Sequence, residues 1–367
     1  MTKVLMTVDG VGGVWTYAME LARALAPRGV EVVLAAMGAP LTPAQRSEAR
    51  ACPNVRVEEG RYRLEWMPDP WLDVRRAGRW LLELEARERP DVVHLNGYAH
   101  GALAWRAPVC VVAHSCVLSW WRAVRGGDAP AEWDRYRAAV RRGLDGAALV
   151  IAPTRAMLDA LVECHGPVTE SLVIPNARDA ARFAPGRKRP LVLSAGRLWD
   201  EAKNVAALDR VAARLPWAVY IAGDRRGPDG VERTFRAARA LGRLDEAAVA
   251  SWMAAASIYA LPARYEPFGL SALEAALAGC ALVLGDVPSL REVWDDAALF
   301  VPPGDDDALA RTLRSLIADD ARRAALAAAA RDRATRYGPA RMAEAYANAY
   351  ALLASRGAAP REAACAS

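Results

Sequence analysis

A chain of 367 residues, 53% apolar and 25% charged, is too long for one ordinary domain, and its composition excludes a disordered protein; two domains of average size are expected. The net charge of +5 at pH 7 is a mild excess lying mainly in the second half, well short of the basic stripe that nucleic acid requires, so no nucleic-acid partner is expected. No apolar run approaches the roughly 18 residues of a membrane span, and Asp9-Gly10 interrupts the first residues before a signal-peptide core forms, so a cytoplasmic protein is expected.

The opening "KVLMTVDGVGGVWTYAMELARALAPRGVEVVLAA" reads as strand, glycine loop, helix and strand. Val14, Tyr17, Ala18, Leu21 and Leu25 recur at helical spacing, and Gly29 ends the helix before the valine-rich run 30 to 34. This is a βαβ unit, which makes the first half a parallel sheet. The loop fails as a dinucleotide fingerprint, because Trp15 stands where its third glycine belongs and no acidic residue stands near position 35. A close backbone approach at Gly12-Gly13 survives, at a helix start that suits a phosphate or an interdomain contact, or is an ordinary turn.

Buried strands follow at "PDVVHLN", "APVCVVAHS", "AALVIAPT" and "SLVIP". Between them, residues 119 to 142 combine Trp120, Trp121 and Trp133 with arginines. That stretch suits sugar stacking, a membrane interface, or a helix pair with its tryptophans in the core. After "NARDAARFAPGRKRP", a segment with linker composition, a second alternating series begins. It runs through "LVLSAGR", "NVAALDRVAARL", "WAVYIAGD", "EAAVASWMAAA", "SIYALPA", "CALVLGD" and "ALFVPPGD". The expected division is 1–180 and 181–337, with a final segment 338–367 whose amphipathic helix crosses back to the first domain.

The scattered cysteines form no CxxC pair, and the four histidines, His94, His100, His114 and His165, form no HExxH pair. Neither a disulfide framework nor a protein-held metal is indicated, and no cofactor is expected.

Two stretches carry the chemistry. In "SAGRLWDEAKN", Arg197 follows a strand and Lys203 precedes a helix, a placement that can hold a diphosphate and the charge growing on it as a leaving group. In "RYEPFGLSALEAALAGC", Pro267 and Gly269 set a turn that starts a helix and leaves the amides of residues 268 to 271 wanting an anion. Glu266 and Glu274 beside such an anion must turn toward hydroxyl groups on either side of it, the layout of a nucleotide-sugar. The small face "ALEAALAG" is expected to admit a close neighbour.

Taken together these loops resemble retaining glycosyltransferases of family 4 with the GT-B fold: Glu266 and Glu274 are similar to their Glu-x7-Glu signature. The resemblance implies an α/β architecture of two Rossmann-like domains with parallel sheets facing a cleft. It implies that Glu266 contacts donor-sugar hydroxyls and that Phe268, Gly269 and Leu270 hold sugar and diphosphate through their backbone. Glu274 would take the ribose, Arg197 and Lys203 the diphosphate, Gly12 and Gly13 would face it, and His114 would be the active-site histidine. His94 reads as structural.

This sequence departs from the family at Ala263, where serine is frequent, at Asn204, where glycine is common after the motif lysine, and at Ala177 in "IPNA". The implied activity is metal-independent transfer of a sugar, with retention, from a nucleotide diphosphate sugar to a hydroxyl of a saccharide, lipid-linked or small-molecule acceptor. Polysaccharide or glycolipid assembly and peripheral contact with the inner membrane face are family-level expectations. An epimerase or hydrolase on the same fold, and a two-lobed binding protein without chemistry, are the rival readings.

Overall fold

The computed structural model describes residues 2–10, 12–227 and 230–358; the expected tail beyond residue 358 lies outside them. The described residues are organised by two sheets. The first contains β1 (Thr2–Asp9), β2 (Val30–Met37), β3 (Val55–Glu59), β4 (Val92–Leu95), β5 (Val109–Val112), β6 (Leu149–Ala152) and β7 (Ser171–Val173), in the order β3-β2-β1-β4-β5-β6-β7. The second contains β8 (Arg189–Ala195), β9 (Ala218–Ala222), β10 (Arg239–Gly242), β11 (Ala256–Leu261), β12 (Ala281–Gly285) and β13 (Leu299–Val301), in the order β10-β9-β8-β11-β12-β13. All the pairings are parallel.

A parallel sheet with helices on both faces needs strands that are apolar throughout. Accordingly β4, β5, β6, β11 and β12 are buried at every position. Strands β3 and β10, absent from the expectation, lie at sheet edges, where half-exposed charged sequences blur the apolar signal.

The first βαβ unit forms as expected, its helix Gly13–Leu25 burying Tyr17, Ala18, Leu21 and Leu25. A short 3₁₀ turn, Ala26–Arg28, then closes on Gly29 at φ 68°, a left-handed conformation open to glycine. The final helix, Pro339–Ala358, crosses back: Met342, Ala343, Tyr346, Ala349, Tyr350 and Leu353 join the core between the first sheet and the helix Gly13–Leu25.

Strand order reverses beside β1 in the first sheet and beside β8 in the second, so β1 neighbours β4 and β8 neighbours β11. The loops leaving the carboxyl ends of such strands diverge to opposite faces and open a crevice where α/β sheets take ligands. Gly12-Gly13 follows β1, His94 and Asn96 end β4, Arg197 follows β8, and Glu266 follows β11.

Candidate active site

The loop after β8 turns tightly. A Cβ on Gly223 would stand 1.7 Å from the Gly196 carbonyl oxygen, so these two backbones touch only because residue 223 is glycine. Arg197 leaves this turn with its side chain 40% exposed, its guanidinium 2.8 Å from Asp200 Oδ2 and 5.4 Å from the Trp199 ring centre. Asp200 caps the 3₁₀ turn Glu201–Lys203 by accepting from the Ala202 amide at 3.0 Å. Burial works against the Asp200 charge, but Arg197 and Lys203 together hold its carboxyl below its usual range.

Lys203 Nζ forms an ion pair with Glu266 Oε2. The other oxygen, Oε1, accepts from the amide of Gly269 at 3.0 Å and of Phe268 at 3.5 Å. Glu266 therefore meets part of the amide demand expected to call for an external anion. Phe268 points into the second core, 5.5 Å and edge-on from Tyr337, so its backbone alone can face a ligand. The helix Leu270–Leu277 begins after Gly269 at φ 91°. Its small face is covered by the helix Asp320–Ala334, with Ala330 and Ala334 buried in the same core. The close neighbour the alanines admit is thus another helix of the chain.

Gly12 and Gly13 face this site from the first domain. A Cβ on Gly12 would lie 3.5 Å from Arg197 Nη1, and one on Gly13 3.3 Å from Leu270 Cδ1. Further contacts bind the two walls. Trp120 Nε1 donates to Asp200 Oδ1 at 3.2 Å, Thr154 Oγ1 to the Pro267 carbonyl at 2.9 Å, and the Cys116 amide to Tyr265 Oη at 3.1 Å. Trp121 and Trp133 pack, partly buried, against the core on the opposite face of the first sheet, which favours the core reading for those two tryptophans.

The structure brings Arg197, Lys203, Glu266, Gly12, Gly13 and Leu270 together; it places His114 in a separate polar cluster. His114 Nε2 lies 2.8 Å and His94 Nε2 3.0 Å from Asn96 Oδ1. Asn96 Nδ2 donates to the Thr7 carbonyl at 2.7 Å, so Oδ1 must accept, and both imidazoles carry their proton on Nε2. Tyr350 Oη then donates to His94 Nδ1 at 2.7 Å. His114 Nδ1 has no partner among the described residues and is left as an acceptor. Burial, then the neighbouring His94, push the His114 pKa down to about 3, and burial takes His94 to about 4. Both rings are neutral at physiological pH.

Glu274 lies one helical turn further along, its side chain 13% exposed, with Oε1 2.8 Å from Arg178 Nε. Burial raises its carboxyl to about 7 even though Arg178 pulls the other way. Sequence reasoning missed Arg178, Asp200 and Asn96. Asp200 had a local signal, an aspartate capping the turn that carries Lys203; Asn96 stands two residues after His94 at a strand end. Arg178 had none, since its partners come from distant helices.

Asn204 explains one departure. It holds φ 52°, the left-handed region that glycine favours and asparagine tolerates, and its amide donates to the carbonyls of Pro262 at 2.9 Å and Pro303 at 2.7 Å.

Residues 11–182 match the family Glycosyltransferase Family 4, and residues 189–319 match Glycosyl transferases group 1. A D-inositol 3-phosphate glycosyltransferase of Xylanimonas cellulosilytica is 30% identical over 394 residues, covering 94% of this chain and 93% of its own. A glycogen synthase of Mycobacterium tuberculosis is 32% identical over 271 residues, 67% of this chain, which spans 65% of that relative. Among solved structures, a sucrose-phosphate synthase from Thermosynechococcus elongatus superimposes with a TM-score of 0.80 at 20% identity, covering 97% of this chain and 100% of that one. Anabaena HepE, in complex with UDP-glucose, does so at 0.77 and 19% identity, covering 96% and 100%. These two family matches, with a relative 30% identical across 94% of the chain, show that the chain belongs to the family 4, group 1 glycosyltransferases of the GT-B fold.

Proposed function

We propose that the protein transfers a sugar from a nucleotide diphosphate sugar to an acceptor hydroxyl, without a metal ion and with retention at the anomeric carbon. The observation that carries this reading is the meeting of Arg197, Lys203 and Glu266 at the start of the helix Leu270–Leu277, directly opposite Gly12-Gly13. The glycine loop lies directly against Arg197 and Leu270, so in this reading the diphosphate is taken by Arg197 and Lys203 as the two walls part, with Gly12-Gly13 covering it. Lys203 lies within reach of both Glu266 and the leaving group, so the two cations supply the charge a metal would otherwise provide.

In this reading Glu266 orients donor-sugar hydroxyls and is no covalent nucleophile. The bond from the anomeric carbon to the phosphate oxygen breaks, the acceptor oxygen bonds to the same face, and the acceptor proton passes to the departing phosphate. His114, neutral and with Nδ1 as an acceptor, acts as a hydrogen-bond partner for a sugar or acceptor hydroxyl; a pKa near 3 makes it a poor general base. Glu274 receives the ribose. Relatives named for glycogen, inositol phosphate, phosphatidyl-myo-inositol and 2-deoxystreptamine chemistry support a polar hydroxyl acceptor: a saccharide, a lipid headgroup or a small molecule.

The test is a panel of UDP-, GDP- and ADP-sugars with the purified protein in EDTA, following nucleoside diphosphate release beside Glu266→Ala. Release from one donor, lost in the variant while nucleotide still binds, is expected. Turnover that requires added metal, or equal loss of binding and turnover, contradicts the reading.

A further inference from the structure

Arg178 lies in the segment that joins β7 to β8, yet its side chain is only 2% exposed. Nη1 donates to Glu20 Oε2 at 2.8 Å, on the first-domain helix Gly13–Leu25. Nη2 donates to Glu246 Oε2 at 2.7 Å, on the second-domain helix Glu246–Ala255. Nε reaches Glu274 Oε1 at 2.8 Å as an ion pair without hydrogen-bond alignment. The Arg178 amide donates to the Tyr337 carbonyl at 3.2 Å and its guanidinium lies 4.9 Å from the Phe183 ring centre, so both ends are fixed.

One guanidinium thus serves three carboxylates. Arg182 offsets one by pairing with Glu246, Arg23 and Asp179 stand near Glu20, and the buried phenol of Tyr259 faces Glu274 from β11. The cluster is short of positive charge, and Glu274 is its member on the helix that carries the donor-side turn. Vicinal ribose hydroxyls donate two hydrogen bonds, which a carboxylate can accept on two oxygens and a protonated carboxyl cannot accept equally. We infer that Arg178 is a positioning residue for Glu274: it holds that carboxylate in place and favours its anionic form for the ribose of the nucleotide, and ties it to Glu20 of the first domain. The inference rests on the reading of Glu274 as the ribose site.

The experiment is calorimetric titration of the full chain with UDP, GDP and ADP from pH 5.5 to 8.5, in two buffers of different ionisation heat. The pH dependence of the nucleotide's own phosphate is common to all variants and cancels in comparison. For the preferred nucleotide, affinity should rise with pH below about 7, by at most about tenfold per unit, with proton release in excess of that seen with Glu274→Gln. In Arg178→Met the midpoint should move upward, with affinity about tenfold weaker at pH 7 and partly recovered at pH 8.5; Arg178→Lys should keep the profile near wild type. Arg178→Met weakening binding equally at every pH, or not at all, overturns the inference while Glu274→Gln remains weak. Should Arg178→Met fail to fold, wild type releasing no more protons than Glu274→Gln overturns it instead. Glu274→Gln binding like wild type overturns the ribose reading itself, and this inference with it.

Discussion

Lys203 and Glu266 neutralise each other with side chains 16% and 10% exposed, and each depends on the other for more than charge. Glu266 also holds the turn amides, so Lys203→Met should cost about 2 kcal/mol of stability, by leaving a partly buried carboxylate unpaired, as well as lowering turnover by about 100-fold. A melt and a nucleotide-release assay on one preparation separate the two; an unchanged rate removes Lys203 from the site. The histidines set a pH limit. Their folded pKa values lie below the ordinary 6.5, so the unfolded chain binds more protons, and their contribution is complete above about pH 6.5 and lost as pH falls toward 4 and then 3. Glu274 runs the other way: raised to about 7, its contribution is present below the ordinary carboxyl value and lost as pH rises through 7. Comparing wild type with His114→Gln between pH 4 and 7 isolates the histidine part. The wild type should lose stability more steeply, by up to about 1.4 kcal/mol per unit; parallel curves would rule out a His114 held neutral by the fold.

At the scale of elements, the left-handed residue before the helix Val205–Ala212 shows how a loop can be rebuilt with other chemistry. Asn204→Gly keeps the conformation and loses two hydrogen bonds, whereas Asn204→Ala loses the bonds and strains the backbone. Thermal denaturation should find Ala worse than Gly by about 1 kcal/mol; the reverse order would mean that the side chain alone matters. The helix Leu270–Leu277 gives a packing prediction. Ala276 is fully buried in the core that this helix shares with Asp320–Ala334, so Ala276→Leu should destabilise by about 1–3 kcal/mol. Denaturant unfolding measures it, and a neutral effect would mean that this face has room for more than its neighbouring helix.

For the whole molecule, the walls of the cleft are joined by side chains that each domain contributes, and the C-terminal helix returns to support the histidine cluster. Tyr350→Phe deletes the donor to His94 Nδ1, 2.7 Å away. The buried nitrogen left unpaired should cost about 1–3 kcal/mol, while nucleotide affinity, which the proposed function assigns to residues of the other domain, should stay as it was. The sequence determined the features that are local in the chain. The βαβ periodicity, the Pro-Phe-Gly turn and the eight-residue interval between Glu266 and Glu274 follow from period and spacing within a few turns. The Arg197 and Lys203 placement is local as well, on the short loop after β8 that ends in one capped 3₁₀ turn. Only the tertiary structure decided what each charge meets. Arg178 and Glu20 are 158 residues apart and His94 and Tyr350 are 256 apart; such pairings leave no periodic trace, because they arise when the connecting segment and the returning C-terminal helix pack onto elements laid down far earlier in the chain.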